Sequence, residues 1–322
     1  MITVIGENIV DFIKQKDGLF KPHLGGSPFN VAIGIGKLGI ACAYLSPLSK
    51  DSFGDMFLQY LSENQVTFDT EMRSNLNTSL AFVSLDEFHQ PHYSIYRTHV
   101  ADRDIASSEL ITRLPPQTRI LHTGSLALEP QDLPVIFEVI NHARSIGIKI
   151  SVDLNVRIKF ISDLSNYIDG IKKIISMCDY IKASDEDLLE IFPDLTLDEA
   201  IDYVRTHMND GIFAYTKGEN GADLITRNDV LSLPILKPEY FGDTIGAGDT
   251  FYATFLSAVL TCEIDKQDVN ALTKYQLSAV LQNSLVAASI NVSRHGCMPP
   301  SRAELNHMIS TQFSDQKFLH IL

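Results

Sequence analysis

Apolar and polar positions alternate along this chain in a way that predicts most of its elements. Ile2–Ile5 is a short apolar run ended by Gly6 and predicts a first strand. Residues Asp11 to Gly26 alternate loosely around the turn pair Asp17-Gly18 and predict a hairpin. Phe29, Val31, Ala32, Ile35 and Leu38 recur at helical spacing behind Pro28, a residue suited to a first helical turn, so a helix is expected over Pro28–Leu38. A strand over Ala41–Pro47 and a helix over Phe53–Asn64 follow. Ser79–Tyr96 returns to strand-like runs through Leu80, Phe82, Val83, Leu85, Tyr93 and Ile95, broken at Asp86–Pro91, and predicts a second antiparallel hairpin. Two hairpins inside a βα chain predict a small β-sheet standing off the main body.

From Ile120 the pattern is regular. Strands are expected at Ile120–Gly124, Lys149–Asp153, Tyr180–Ala183 and Gly211–Thr216. Helices are expected at Pro134–Ile146, Leu164–Met177, Asp185–Ile191 and Leu197–Met208. This alternation predicts an α/β fold: a central, mostly parallel sheet with helices on both faces. Ligands of such sheets bind beyond the carboxyl ends of the strands. No internal repeat, low-complexity tract or linker is visible, so residues 1–322 are expected to form a single domain with inserts near 11–26 and 79–100.

Composition narrows the function. Hydrophobic residues make up 45% and charged residues 20%, which suits a packed core rather than disorder. The formal net charge of −14 repels phosphate backbones and argues against a nucleic-acid partner. An anionic ligand would have to be met by local positive potential, from helix N-termini and a few basic side chains. Cys42, Cys178, Cys262 and Cys297 show no C-x-x-C spacing and read as free thiols. The chain reaches Glu7 without a basic region followed by a long apolar run, and no apolar stretch approaches the ~20 residues that span a bilayer. A cytoplasmic protein without a membrane partner is expected.

The candidate chemistry lies at residues 243–249, Asp-Thr-Ile-Gly-Ala-Gly-Asp, followed by an apolar helical run through Phe251, Phe255, Leu256, Val259 and Leu260. Gly246 and Gly248, with Ala247 between them, leave backbone N–H groups unobstructed at a helix N-terminus, an anion hole suited to phosphate. Asp249 enters the first turn beside it. A carboxylate beside a bound phosphoryl group has a use, to take the proton from an attacking hydroxyl. The same residues also suit a plain acidic helix start. Near the other end of the chain, Gly25-Gly26-Ser27-Pro28-Phe29-Asn30 pairs two glycines, which let backbone approach a ligand, with an amide able to donate and accept.

Together these two segments resemble the PfkB (ribokinase-like) carbohydrate kinase family, and the resemblance runs from Val4 to about Pro300. It implies a ribokinase-like fold with a β-sheet lid, ATP and Mg2+ as co-substrate and cofactor, and a sugar as acceptor. Asp249 is then the base, with Gly246, Ala247 and Gly248 forming the anion hole. Asp11, Gly25, Gly26 and Asn30 resemble sugar contacts. Thr216, Gly218 and Gly221 resemble a turn lying along the nucleotide. Lys182, Ser184 and Asp187 stand where the family organises magnesium and phosphate through Asn-x-x-Glu; Asp187 is a shorter carboxylate than that pattern has, a length that contact through water tolerates. Asp243 and the carbonyl of Ile245, with carbonyls of Asn291, Arg294 and Gly296, resemble a monovalent-cation site that would take K+. Leu285 stands where the family often has an Asn, so no Asn is assigned to the adenine.

The segment Asp153-Leu154-Asn155-Val156-Arg157, the strand end His122-Thr123-Gly124-Ser125, and Arg97 at the end of the second hairpin resemble fructokinase-like members. They favour fructose, phosphorylated at its 6-hydroxyl, with Arg97 and Asp153 at the sugar. Ribose, 2-keto-3-deoxygluconate and nucleosides are handled by relatives on the same scaffold, and a non-catalytic sensor on this fold is the competing class. A homodimer through the lid is expected, since strand edges and apolar faces need covering. Other motifs carry less. Gly34-x-Gly36-x-x-Gly39 falls within a predicted helix and reads as close packing, not a dinucleotide loop. His89, His92 and His99 read as loop histidines rather than a metal site.

Overall fold

The structure, a computed structural model, describes residues 1–15, 17–85, 91–263, 272–313 and 320–322. Residues 86–90, with His89 and most of the expected break at Asp86–Pro91, lie outside the described residues.

The chain starts in the middle of a large sheet with β1 (Ile2–Val4) and leaves it for the hairpin β2 (Ile9–Lys14) and β3 (Phe20–Gly25). It returns through α1 (Ser27–Lys37), β4 (Cys42–Tyr44), β5 (Leu48–Ser49), α2 (Ser52–Glu63), β6 (Val66–Phe68) and β7 (Arg73–Ser74). The second hairpin is β8 (Ser79–Leu85) and β9 (Pro91–Tyr96). Then come α3 (Ser107–Arg113), β10 (Ile120–Gly124), α4 (Leu133–Ser145), β11 (Lys149–Asp153), α5 (Leu164–Ile175) and β12 (Tyr180–Ser184). α6 (Asp185–Ile191), α7 (Leu197–His207), β13 (Ile212–Thr216), β14 (Ala222–Ile225) and β15 (Val230–Leu233) complete the sheet region, and α8 (Ala247–Glu263), α9 (Lys274–Val292) and α10 (Arg302–Gln312) follow. Thr196, Thr273 and Ser301 cap α7, α9 and α10 in reciprocal capping boxes that satisfy otherwise orphaned N–H groups.

The large sheet has nine strands in the order β15-β14-β13-β12-β11-β10-β1-β4-β6, parallel except for the antiparallel edge β14-β15. Its two faces are both covered, as the expected architecture requires. Along β13, Ile212 and Ala214 join the core shared with Phe29 of α1 and Phe255 of α8, while Phe213 and Tyr215 join the core shared with Val139 of α4 and Ile171 of α5. The period of two in the strand thus feeds two separate hydrophobic layers. Chain order reverses between β1 and β10, so the crevice beyond their carboxyl ends is the natural place for a ligand.

The two hairpins pair through parallel β2 and β8 into the small separate sheet, in the order β3-β2-β8-β9. An aromatic cluster runs across it: Phe12 stacks on Phe82 at 4.9 Å, and Phe20 and Tyr96 meet Phe82 edge-on. Tyr96 is 61% exposed. Gly34 and Gly36 lie inside α1, where a Cβ would come within 2.6 Å of Ala253 and 2.2 Å of the Asn64 carbonyl, so these glycines permit close packing. Among the described residues no helix is long and apolar enough to cross a membrane.

Candidate active site

Three chain segments meet at the crevice. The first is the start of α8. Gly246 has φ 71°, and a Cβ there would lie 2.3 Å from Cys297 Sγ, so both the backbone conformation and the space select glycine. The turn closes with the Ala247 N–H donating to the Thr244 carbonyl at 3.2 Å. This corrects one expectation: of the three amides assigned to the anion hole, that of Ala247 is already bonded. The N–H groups of Gly248 and Asp249 have no backbone acceptor among the described residues, as the first turn of a helix dictates.

Asp249 is buried, and each of its carboxylate oxygens is held from α1. Ser27 Oγ donates to Oδ1 at 2.7 Å and Asn30 Nδ2 donates to Oδ2 at 2.8 Å. Burial pushes the Asp249 pKa up; hydrogen bonds from Asn30 and Ser27 and the charges of Lys182 and Arg157 pull it back without cancelling the rise. Asn30, expected at the sugar, is thus bonded to Asp249.

Lys182, at the carboxyl-terminal half of β12, supplies a buried cation. Its Nζ donates to both oxygens of Asp153 at 2.9 Å. Burial works against the ammonium, but Asp153, Asp187 and Asp249 outweigh it and raise the Lys182 pKa. A Cβ on Gly248 would lie 3.3 Å from Lys182 Nζ, so this charge sits directly beneath the amides at the start of α8. The helix terminus and its unspent N–H groups add local positive potential, while Lys182 is set against Asp153, Asp187 and Asp249.

The second segment is the entry to α1. Gly26 has φ 105°, and a Cβ would meet the Glu7 carbonyl at 2.3 Å. Gly25 leaves room for Asp11, whose Oδ2 would lie 2.6 Å from a Cβ at that position. Burial pushes Asp11 up to about 6, with Arg157 lowering it and Asp249 raising it. Asp11, Arg157 and Asp249 thus share one electrostatic environment. The third segment is the loop after β11, where Asn155 adopts φ 35° and Arg157 is exposed. Gly25, Gly26, Asn30, Asp11, Asp153, Lys182 and Asp249 are accordingly gathered at the ends of β11, β12 and the two helices.

Other expected residues stand differently. Arg97 is drawn into an acidic cluster: Nε and Nη2 donate to Asp102 at 3.0 and 2.8 Å, and Nη1 donates to the Leu126 carbonyl and Asp132 at 2.9 and 3.3 Å. Arg103 joins the same cluster through Glu129 and Asp132. Arg97 is a buried brace at the end of β9, not a free cation for a sugar. Ser184 and Asp187 form a capping box on α6, and the second Asp187 oxygen accepts from the Val156 N–H at 2.6 Å. Both carboxylate oxygens therefore organise backbone. Thr216 ends β13, Gly218 starts the short turn that follows, and Gly221 closes it with φ 95°.

Asp243 staples two loops: Oδ1 accepts from Ile245 N–H and Oδ2 from Gly296 N–H, each at 2.9 Å. Asn291 Nδ2 donates to the Ile245 carbonyl at 2.8 Å, and the Arg294 carbonyl accepts from Asp243 N–H at 3.1 Å. The five residues expected around a monovalent cation do share one neighbourhood. No cluster of three or more His, Cys, Asp or Glu side chains suited to a metal occurs among the described residues. Among the described residues no disulfide joins any of the cysteines.

Sequence reasoning missed Glu7 and the role of Ser27. Glu7 is 1% exposed, and its carboxylate accepts from the Ser27 N–H at 3.2 Å and the Ala127 N–H at 3.1 Å. The one available signal was an acid placed directly after an apolar strand and a glycine.

A family model described as pfkB family carbohydrate kinase matches residues 1–304. A fructokinase of Rhizobium leguminosarum bv. trifolii is 31% identical over 292 residues, 88% of this chain and 85% of that protein. The crystal structure of a fructokinase with bound ATP from Xylella fastidiosa superposes with a TM-score of 0.84 at 24% identity, covering 97% of this chain and 98% of that one. A fructokinase double mutant from Vibrio cholerae O395, in its fructose, ADP and potassium ion bound form, gives 0.80 at 22% identity, with 95% and 97% covered. With its match spanning most of the chain and its buried aspartate set at a glycine-lined helix start, the chain belongs to the pfkB family of carbohydrate kinases, phosphotransferases that act on a sugar hydroxyl.

Proposed function

We propose that this chain transfers the γ-phosphoryl group of ATP to the 6-hydroxyl of fructose, with Asp249 as the general base. The observation that carries the reading is the setting of Asp249. It is buried, held on both oxygens by Ser27 and Asn30, and flanked by Lys182 and the free amides of the α8 start. Its burial-raised pKa suits a group that must accept a proton near neutral pH. The hydroxyl proton passes to Asp249 as the sugar oxygen attacks in line, and the amides of Gly248 and Asp249 with Lys182 meet the charge that develops on the phosphoryl oxygens. Asp11, Gly25, Gly26 and Asn30 bind the sugar, and the Thr216–Gly221 turn lies along the nucleotide. The small sheet covers the sugar as a lid and excludes water.

ATP for this chain is supported by the ATP bound in the Xylella relative, and fructose by the names of the fructokinase relatives. Magnesium enters with the nucleotide. Asp187 is held by Val156 and Ser184 on its two oxygens and is shorter than the family's glutamate, so contact through water is the role assigned to it. A potassium ion suits the all-oxygen set at Asp243, Ile245, Asn291, Arg294 and Gly296, and such a charge would add to the potential at the anion hole. The exposed Phe20 and Tyr96 on the small sheet support a homodimer through that sheet. A cytoplasmic location completes the reading.

The test is ADP release with fructose, ribose, adenosine and 2-keto-3-deoxygluconate at equal concentrations below saturation. Fructose should give the highest kcat/KM. Equal or faster release with another acceptor removes fructose and leaves the kinase assignment standing on Asp249. No ADP release with any acceptor would favour a non-catalytic sensor.

A further inference from the structure

Asp249 does not reach its orientation alone. It receives Ser27 Oγ at 2.7 Å, and the backbone N–H of that same Ser27 is bonded to Glu7 Oε1 at 3.2 Å. The other Glu7 oxygen takes the Ala127 N–H at 3.1 Å. One buried carboxylate therefore ties the turn after β1 to the start of α1 and to the segment after β10. Packing leaves these pieces little freedom. A Cβ on Gly6 would lie 2.3 Å from Pro28, and one on Gly26 would lie 2.3 Å from the Glu7 carbonyl. Asn8 reinforces the same turn through Tyr44 and the Pro47 carbonyl, both at 3.1 Å.

We infer that Glu7 and Ser27 are positioning residues for the general base: Glu7 fixes the backbone of Ser27, and the Ser27 hydroxyl holds Asp249 Oδ1 so that Oδ2 is presented to the substrate hydroxyl beside Asn30. The inference rests on the reading of Asp249 as base. A carboxylate that accepts a hydrogen bond is favoured in its charged form. The Ser27 hydroxyl thus opposes the effect of burial, and keeps more of Asp249 ionised at neutral pH. The other groups that act on Asp249 are Lys182 on β12, Arg157 and Asp153 at the end of β11, Asp11 on β2 and Cys297 after α9. Glu7 itself faces Arg97, Asp102 and Tyr44. Ser27→Ala changes none of these charges, so a shift in that variant reports the lost hydroxyl.

The experiment is the pH profile of kcat/KM for wild type, Ser27→Ala, Glu7→Gln and the double variant, with Asp249→Asn as control. Ser27→Ala should move the acid limb upward by about one pH unit, the scale of one charge-assisted hydrogen bond. The KM for ATP should stay within about twofold, since the nucleotide loses no contact. Glu7→Gln should move the limb in the same direction, because a carboxamide cannot accept from both N–H groups. The double variant should shift no further than Ser27→Ala, as two members of one chain of contacts must. If Glu7→Gln does not fold, Glu7→Asp, which keeps the charge on a shorter arm, supplies the same comparison. An unmoved limb in folded Ser27→Ala overturns the inference, and additive shifts in the double variant overturn the part assigned to Glu7. Retained turnover in Asp249→Asn would instead overturn the base itself.

Discussion

Asn30 Nδ2 donates to Asp249 Oδ2 at 2.8 Å, joining residues 219 positions apart in the chain. The contact brings the N-terminal glycine segment and the C-terminal one to the same atom group. Under the proposed mechanism Asn30 then touches both the base and the acceptor hydroxyl. The consequences can be measured.

Asp249→Asn keeps shape and removes the proposed base. Turnover should fall by about 10²–10⁴-fold, the usual contribution of a positioned base. ATP affinity measured by calorimetry should stay within a few-fold, because the anion-hole amides are backbone. Near-wild-type ADP release would exclude Asp249 from proton transfer.

The acid side of the rate profile should lie above the ordinary carboxylate range. Asp249 is raised by burial, and Asp11 is pushed up to about 6. In the proposed mechanism both are ionised, one to take a proton and the other to accept sugar hydroxyls. Lowering pH protonates them, so kcat/KM should fall as pH drops through about 6 and should already be reduced well above pH 4. A profile flat down to pH 5 would mean that neither group titrates in the free enzyme as its burial requires.

Lys182 and Asp153 form a buried pair, 5% and 0% exposed. Lys182→Met strands a carboxylate in the core and should cost about 3–5 kcal/mol of stability by urea unfolding. Adding Asp153→Leu should restore much of that loss, because a well-packed apolar pair replaces a buried ion pair at little cost. It should not restore phosphoryl transfer. Recovery of turnover along with stability would show that the ammonium serves folding alone.

The two glycines of the anion hole should fail in different ways. Gly246→Ala forces a side chain into φ 71° and against Cys297, so thermal stability should drop together with activity. Gly248→Val meets only the flexible end of Lys182, at 3.3 Å, and should fold. Its KM for ATP should rise and its kcat fall as the side chain crowds the phosphate. Unchanged kinetics in folded Gly248→Val would show that these amides face away from the nucleotide.

Asp11→Ala should raise the KM for sugar far more than the KM for ATP. In the proposed mechanism a half-buried acceptor is lost, and the sugar hydroxyls it would hold lose a partner. Equal changes in both constants would place Asp11 in a general structural role.

Local pattern was enough for the strands Ile120–Gly124 and Lys149–Asp153 and for helix Asp185–Ile191, whose limits match the structure residue for residue. It failed where an element is enclosed. α9 went unassigned because its apolar residues serve two layers. Val280, Leu281 and Leu285 face the main core, while Ala279, Val286 and Ala287 face the cluster under α10. A helix buried on two sides has no polar face to mark its period. The antiparallel strands β14 and β15 at the end of the sheet also went unassigned.

The sequence by itself determined the α/β alternation, the two hairpins and the glycine-flanked Asp249. These depend on neighbours in the chain, on side-chain period and on what glycine permits. Only the tertiary structure decided which groups meet. It turned Arg97 inward to Asp102 and Asp132, held both Asp187 oxygens with hydrogen bonds, and brought Ser27 to Asp249 and Glu7 to Ser27. The physical reason is desolvation. A charged or polar group removed from water takes whichever partner the packed fold sets beside it, and that partner can lie anywhere in the sequence.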